Sequence, residues 1–387
     1  MSGTGPESAY SAYSAYSAYS AYSAYSAYSA YGGGPSDGYG GPFVAGGLIS
    51  TRDGITGPWQ QPTTPPVAMA QNDPKHLNLW AANVRLSLYE FEMFSRVNFS
   101  FDAGTNKAQA WHLETVNNGA NAPSATYQPL MAMERPTEAD FLDQLIYLEN
   151  YAALRTDRAT EIVSQVDLPA AYWRSIPFID PSRTKWTYDL MMATYRLANF
   201  VEMQFKNTLA CRRPNEYSAQ VQPIIPTPLH GTLPSGHATE SFAVATVLSR
   251  LLQHAGGPVY STVEWPTQLM RLASRIAVNR TVAGVHFPVD SFAGAALGVT
   301  LGDYLVARCI GKDADCQLDY NAVTFKGPGF KGDFDWTDQV GLNTGHVVQR
   351  FDGNAGNYLS KTEEKLDKDQ QSNILNYLWK KSVDEWA

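Results

Sequence analysis

Basic and imidazole side chains recur in three separated segments between Lys206 and Asp290, and their types suit a tetrahedral oxyanion. Guanidinium groups supply forked donors that stay charged, as an anion with three equatorial oxygens requires. The spacing of the three segments therefore predicts a single anion pocket. The segments are Lys206-x6-Arg213-Pro214, Pro234-Ser235-Gly236-His237 and Arg280-x5-His286-x3-Asp290.

Ser235 and Gly236 stand where an apolar helix is predicted to begin. Unpaired backbone N–H groups and the positive end of the helix dipole favour an anion there. Gly236 has no side chain, so its backbone can approach the anion closely. We therefore expect this turn, with Arg213, Arg280 and the flexible Lys206, to hold the oxyanion.

The two histidines are predicted to do different work. One imidazole nitrogen can bond the central atom of an oxyanion, as nucleophile or metal ligand, while a second ring handles a proton. We assign the bond to His286 and the acid–base role to His237, since a helix N-terminus disfavours positive charge on its ring. Asp290 is expected to orient and polarise an imidazole or to anchor an arginine.

Taken singly, a histidine or an arginine is more often structural than catalytic. The order, spacing and helix context of the complete set predict the chemistry. The histidines that lie outside these motifs are assigned structural roles, namely His76, His112, His254 and His346.

The elements around the pocket are predicted to be helices, because apolar residues recur at steps of three and four. Strand signals are sparse, and Gly104 to Gln128 has no steady period and is expected to be loop. We therefore expect an all-α helical bundle. The predicted helices start near Leu77, Pro136, Ser182, Ser235, Trp265 and Pro288, and a last charged helix covers about Thr362 to Trp379.

The chain is predicted to have three parts. Residues 1–70 are a low-complexity tail, 71–310 a helical catalytic domain, and 311–387 a wrapping C-terminal extension. Ser8 to Tyr31 are eight copies of Ser-Ala-Tyr, a period that puts tyrosine steadily on neither a helix face nor a strand face. We expect the tail to be disordered in isolation, and to be either a linker or a self-associating segment.

Composition indicates a globular protein. Of 387 residues, 44% are hydrophobic and 17% charged, and the formal net charge of -8 argues against a nucleic-acid partner. The first thirty residues lack a secretory signal pattern, so a cytoplasmic location is expected. The apolar stretch from Ser291 to Ile310 contains Asp303 and Arg308, which favours a buried helix over a membrane span.

Three cysteines form neither a disulfide framework nor a C-x2-C zinc pair. Cys309 and Cys316 could pair, but free thiols are expected in a reducing compartment.

The three segments resemble the signature of the superfamily that joins vanadium-dependent haloperoxidases to type 2 phosphatidic acid phosphatases and bacterial non-specific acid phosphatases. The resemblance covers Lys206 to Asp290 closely. It departs at Asn279, where the family usually has Ser, a position that is not among the anion ligands. The resemblance implies that His286 bonds axially to vanadium or attacks phosphorus, and that His237 serves the apical position. The residues that would hold the equatorial oxygens of vanadate or phosphate are Lys206, Arg213, Ser235, Gly236 and Arg280.

His230 bears on the branch of the superfamily. It lies seven positions before His237, which is similar to the place where bromoperoxidases carry His and chloroperoxidases an aromatic residue. This favours a vanadate-dependent haloperoxidase that oxidises bromide or another halide with hydrogen peroxide to hypohalous acid. By the same resemblance, Lys206 would polarise the bound peroxide, and a homo-oligomer is expected.

Two alternatives stay open. The first is a soluble phosphatase that hydrolyses phosphomonoesters through a phosphohistidine at His286. The second is a structural protein in which the Ser-Ala-Tyr tail assembles and the pocket is vestigial, although the intact ligand set argues against this.

Overall fold

The computed structural model describes residues 42–118, 123–310, 319–343, 346–366 and 372–387. The Ser-Ala-Tyr repeat and Cys316 lie outside these ranges. The chain divides into two compact units, Met1–Leu88 and Tyr89–Ala387.

Within its described residues, the first unit contains two regular elements and the start of a third. They are α1 (Pro42–Ile55), a 3-10 turn (Pro74–Leu79) and the beginning of α2 (Ala82–Phe94). Helix α1 lies within the predicted tail, and its described side chains are exposed.

Helices form most of the second unit, and five of them begin near a predicted start. Helix α3 begins where predicted because Thr137 and Asp140 cap it reciprocally. The helices are α3 (Glu138–Ala152), α4 (Arg155–Ser164), α5 (Ala170–Arg174), α6 (Lys185–Leu209), α7 (Pro214–Tyr217), α8 (Gly236–Ala255), α9 (Glu264–Val282), α10 (Pro288–Ile310) and α11 (Asn373–Asp384).

A sheet stands beside the helices, so the all-α expectation is wrong. Five strands pair in the order β1-β2-β3-β4-β7, with β3 and β4 parallel and the other neighbours antiparallel. Two further strands, β5 and β6, form a separate hairpin. The strands are β1 (Val97–Asp102), β2 (Lys107–Asn118), β3 (Pro123–Glu134), β4 (Asp319–Lys326), β5 (Val340–Asn343), β6 (His346–Gln349) and β7 (Leu359–Lys365).

The segment expected to be loop, Gly104 to Gln128, contains β2 and the start of β3. On β2 the buried face carries Ala108, Ala110 and His112, which alternate with less buried residues. Two alanines and a histidine give little hydrophobic contrast between the faces, and irregularities beside Trp111 and Leu113 interrupt the period. The two-residue alternation was therefore hidden in the sequence.

The predicted last helix was also misplaced. Its first residues, from Thr362, belong to β7, which pairs with β4. Helix α11 begins after Ser372, whose side chain accepts a hydrogen bond from Leu375 N, and it continues past Trp379 to Asp384.

Helices α8 and α10 approach closely along a stripe of glycines. A Cβ on Gly298 would lie 2.4 Å from the carbonyl oxygen of Thr239, and one on Gly294 would lie 2.7 Å from that of Ser235. This approach holds the first turn of α8 against the start of α10, where Ser235 N donates to the carbonyl of Asp290 at 2.9 Å. Two of the three motif segments thus meet through the backbone.

Helix α10 is long and apolar enough to cross a membrane by length and composition, and 94% of its most apolar window is buried within the chain. Its side chains pack in the core, as expected for the stretch after Ser291. The thiols of Cys211 and Cys309 are buried and free, and burial raises the pKa of each to about 12.

Candidate functional site

The three motif segments converge at the ends of four helices. Lys206 lies in the last turn of α6 and Arg213 just beyond it, while Arg280 lies in the last turn of α9. Ser235 is the N-cap of α8, and Asp290 lies in the first turn of α10. These side chains lie at helix ends or in the short connections between helices. The packing of the helices therefore fixes their positions.

His286 is held in one orientation from its Nδ1 side. Asp290 Oδ2 lies 3.0 Å from His286 Nδ1, and it also accepts hydrogen bonds from Thr232 Oγ1 at 2.5 Å and Phe287 N at 2.8 Å. The carboxylate can only accept, so Nδ1 carries the hydrogen and the lone pair lies on Nε2. Burial, followed by the charge of Arg213, holds the pKa of His286 well below its usual range.

Arg213 faces that lone pair. Its Nη1 donates to His286 Nε2 at 3.0 Å and to the carbonyl of Val285 at 2.8 Å, and its Nε donates to the carbonyl of His230 at 2.9 Å. The guanidinium of Arg213 therefore hydrogen-bonds the Nε2 lone pair of His286.

Lys206 is buried beneath the loop that precedes α8. Its ammonium donates to the carbonyls of Gly231 and Thr232, at 3.5 and 3.4 Å, and closely to that of Pro234. Burial is the main cause that lowers the pKa of Lys206 to about 8, and Glu202 partly offsets it. The lysine thus anchors the loop that carries the Ser235-Gly236 turn.

Gly236 has a different neighbour from the one expected. A Cβ at this position would lie 2.4 Å from Glu202 Oε1, so the space beside the glycine is filled by a carboxyl group. The missing side chain is required by Glu202, in addition to any approach of an anion to the backbone N–H.

Glu202 and Glu240 form a buried carboxyl pair at this point. Burial is the largest cause that raises the pKa of Glu202 to about 7 and that of Glu240 well above its usual range, and the charge of Glu202 adds to the effect on Glu240. Lys206 favours the ionised form of both. Both shifts favour the protonated form of these carboxyl groups, next to the predicted anion site.

His237 and Arg280 both contact the C-terminal end of α4. His237 Nε2 donates to the carbonyl of Gln165 at 2.7 Å, which leaves the Nδ1 lone pair of the neutral ring as its basic atom. Arg280 Nη2 donates to the carbonyl of Ile162 at 3.0 Å and to Gln165 Oε1 at 3.4 Å. Burial and then Arg280 lower the pKa of His237 to about 3.

His230 lies at the edge of the site. Arg213 Nη2 donates to its Nδ1 at 3.2 Å, and the ring is half-buried. Burial, then Lys206 and Arg213, lower its pKa to about 3.

The histidines that were assigned structural roles contact other parts of the fold. His112 Nδ1 lies 2.8 Å from the hydroxyl of Tyr304, His254 packs against Trp379, and His76 packs against Trp80. The side chain of His346 lies outside the described residues.

Sequence reasoning missed four residues of the site. Thr232 lies in the loop between two quoted motifs, and Glu202 lies one turn before Lys206 on the same face of α6, so position alone could have indicated both. Glu240 lies one turn after Gly236 on α8. Gln165 follows a helix far from the motifs, and no sequence signal marks it.

The part of the chain that contains the three motif segments matches a known protein family. Residues 187–312 match the PAP2 superfamily. This match contains all three motif segments. The superfamily resemblance predicted from the three motifs is confirmed at this level.

A curated relative matches a short part of the chain. A vanadium-dependent bromoperoxidase of Ascophyllum nodosum is 33% identical over 94 residues, which are 19% of this chain and 17% of that protein, so the match spans under a fifth of the relative.

Two solved structures are distant neighbours. A bacterial vanadium-dependent iodoperoxidase is 19% identical, with 43% of this chain and 48% of that chain covered and a TM-score of 0.34. A transmembrane PAP2-type phosphatidylglycerolphosphate phosphatase from Bacillus subtilis is 18% identical, with 43% and 94% covered and a TM-score of 0.25.

The donor set of the PAP2 segment fits vanadate or phosphate. Arg213 hydrogen-bonds the imidazole lone pair of His286. Lys206, Arg280 and the N-terminus of α8 lie in the neighbouring motif segments, and donors of these types suit an anion whose central atom accepts one nitrogen. Within the described residues, no group of three or more His, Cys, Asp or Glu could hold a bare metal ion.

Proposed function

We propose that the protein is a vanadate-dependent haloperoxidase that oxidises bromide with hydrogen peroxide to hypobromous acid. The observation that carries the proposal is the fixed orientation of His286. Its Nδ1 is tied to Asp290 and Thr232, and its Nε2 lone pair faces Arg213. A lone pair presented among cationic donors suits a bond to the central atom of an oxyanion.

Under this proposal, Arg213, Arg280, Lys206 and the Ser235-Gly236 turn would hold the oxygens of vanadate, and His286 Nε2 would hold vanadium. Vanadate, when bound, would supply a Lewis-acid centre that activates hydrogen peroxide without changing its own oxidation state. The cationic donors would neutralise the negative charge of the anion in a buried site, where charge–charge interactions are strong.

Proton handling is proposed for His237. Oxidation of bromide by hydrogen peroxide consumes a proton and yields hypobromous acid and water. The Nε2–H of His237 is committed to Gln165, so Nδ1 is the atom that would exchange protons with an oxygen of the bound anion. An anion in the site would raise the pKa of this ring from its low value by offsetting the charge of Arg280.

His230 supports bromide as the halide. Its ring is held against Arg213 at the edge of the site, rather than turned into solvent. The match to a bromoperoxidase points in the same direction. Bromide is therefore the substrate to test first.

A phosphomonoesterase is the second candidate, and the same lone pair favours it. His286 Nε2 would bond phosphorus as the ester P–O bond breaks, and a proton from His237 would go to the leaving alcohol. Water would then release phosphate from the histidine. The match to the PAP2 superfamily, which includes phosphatases, supports this alternative.

One experiment separates the candidates. Vanadate-loaded and phosphate-loaded protein would be compared for bromination of a phenol with peroxide and for hydrolysis of an aryl phosphate. We expect bromination that depends on vanadate. Phosphate ester hydrolysis without vanadate-dependent bromination would contradict the first proposal and support the second.

A His286→Ala variant should lose both activities and tight vanadate binding. A variant that retained bromination would show that the bond to the oxyanion is made elsewhere.

A further inference from the structure

The C-terminal end of α4 lies outside all three motif segments, yet it contacts two of their residues. Gln165, which caps this helix end, is completely buried. Its backbone carbonyl accepts from His237 Nε2, and its side-chain Oε1 accepts from Arg280 Nη2. A single residue thus bonds both a predicted acid–base group and a predicted anion donor.

A second polar residue completes the arrangement. Asn279 Nδ2 donates to Gln165 Oε1 and to Glu161 Oε1, each at 2.9 Å, and Asn279 Oδ1 accepts from Arg158 Nη1 at 3.2 Å. Asn279 is the position at which the chain departs from the family pattern. Its carboxamide bridges α9 to α4 with both of its polar atoms, which a serine hydroxyl is too short to do.

The N-terminal end of α4 is also held by hydrogen bonds. Arg155, at the start of α4, donates to the carbonyls of Val282, Gln222 and Val221 at 3.0, 3.0 and 2.8 Å. Glu161 forms a salt bridge with Arg275 on α9 at 2.9 Å. Helix α4 is therefore attached to α9 along its length, and its last carbonyls, which carry the negative end of the helix dipole, meet Arg280.

We propose that Gln165 is a positioning residue of the oxyanion site, which fixes the guanidinium of Arg280 through its side chain and the ring of His237 through its carbonyl. The inference rests on the proposed function and deepens it, because Gln165 contacts two residues of the same site, His237 and Arg280. It holds equally for vanadate and for phosphate, since both would use Arg280 as a donor.

The first test removes the side-chain acceptor. In a Gln165→Leu variant, Arg280 loses a hydrogen bond that orients it, and we expect the affinity for inorganic phosphate to fall about tenfold, measured by titration calorimetry. The matched control is Gln349→Leu, which removes another buried amide, one that donates to the carbonyl of Ala296 on α10. Equal losses in the two variants, or an unchanged affinity in Gln165→Leu, would overturn the inference.

The second test uses charge. A Gln165→Glu variant keeps an acceptor for Arg280, but its carboxylate competes with the anion for the guanidinium. Its phosphate affinity relative to wild type should therefore be lowest near pH 7 and should recover as the pH falls towards 4, where the new carboxyl is protonated. A purely structural role gives a ratio that does not change with pH.

A third measurement does not depend on anion binding or activity. In a crystal structure of Gln165→Leu, the guanidinium of Arg280 should be displaced, while the bond of His237 to the backbone of residue 165 should persist. An Arg280 side chain in its original position would overturn the inference, even if the enzymatic proposal is right. Conversely, a displaced Arg280 supports the inference even in a protein that brominates nothing.

Discussion

At the scale of single residues, the orientation of His286 depends on Asp290. This carboxylate accepts three hydrogen bonds, from Thr232, Phe287 N and the imidazole, so its replacement affects both the ring and the loop. Burial raises the pKa of Asp290 to about 6, and it is therefore mainly ionised at pH 7. An ionised acceptor keeps the hydrogen of His286 on Nδ1.

An Asp290→Asn variant should weaken vanadate binding about 10–100-fold, because an amide can donate to Nδ1 and shift the hydrogen to the other ring nitrogen. Binding would be measured by calorimetric titration of the purified variant. Asp303→Asn is the control, since Asp303 is a partly buried carboxylate on α10 that pairs with Arg250. If both variants bound vanadate alike, Asp290 would have no special role in orienting the ring.

The lowered pKa of Lys206 predicts that anion binding depends on pH. Burial lowers its pKa to about 8, so the lysine of the ligand-free protein loses its charge within the range that an assay can reach. The affinity for phosphate should therefore fall as pH rises from 7 to 9, by about tenfold for the loss of one charged hydrogen bond.

The control for this prediction is Lys206→Arg, because a guanidinium keeps its charge through this range. The ratio of affinities at pH 7 and pH 9 would be compared between the two proteins, which removes the change in charge of phosphate itself. The same ratio in both proteins would exclude Lys206 as the titrating group.

At the scale of elements, the placement of the motif residues was predictable because these residues mark helix ends. Pro214 and Pro288 delimit helices, and Ser235 is an N-cap, so the motif residues fell at the correct ends of α6, α8 and α10. The sheet was not predictable in this way. The buried face of β2 is made of small and polar residues, and β3 pairs with β4, which is almost two hundred positions away in the chain.

The sequence did not indicate Gln165, for a similar reason. Gln165 acts through a backbone carbonyl and an amide contact to α9, and neither depends on spacing within a motif. Glu202, by contrast, shares a helix face with Lys206 and could have been proposed from the four-residue step.

The close contact of α8 and α10 predicts that a side chain at Gly298 destabilises the protein. A methyl group on Gly298 would meet the backbone oxygen of Thr239, which cannot move aside without shifting α8. Gly298→Ala should lower the free energy of unfolding by about 1–3 kcal/mol, measured by urea denaturation. It should also weaken phosphate binding, since Ser235 and Asp290 are joined across the same contact.

Gly46→Ala is the comparison, because a Cβ at this position of α1 has nothing within 4 Å. We expect it to leave the urea transition unchanged or to stabilise α1 slightly. A Gly298→Ala protein as stable as Gly46→Ala would mean that the helices can separate without cost.

At the scale of the whole molecule, the buried carboxyl pair connects the site to overall stability. Burial raises the pKa of Glu202 to about 7, and the pair lies against Gly236 in the interior. Between its unfolded pKa near 4.5 and its folded pKa near 7, the folded protein holds a proton that the unfolded chain has released. The contribution of Glu202 therefore favours the folded state at low pH and is lost as the pH rises through this window.

A Glu202→Gln variant isolates this contribution, because the amide is nearly the same size and does not ionise. We expect wild type to lose stability relative to the variant as pH rises from about 4.5 to 7, measured as the difference in unfolding free energy between the two proteins at each pH. His230 and His237, whose lowered pKa values act in the opposite direction, are present in both proteins and largely cancel. Above pH 7 the difference should level off, except where Lys206 begins to lose its charge near pH 8 and no longer offsets the carboxylate. A difference that stayed constant from pH 4.5 to 7 would show that Glu202 ionises normally in the folded protein, and the site would then contain a full negative charge beside Gly236.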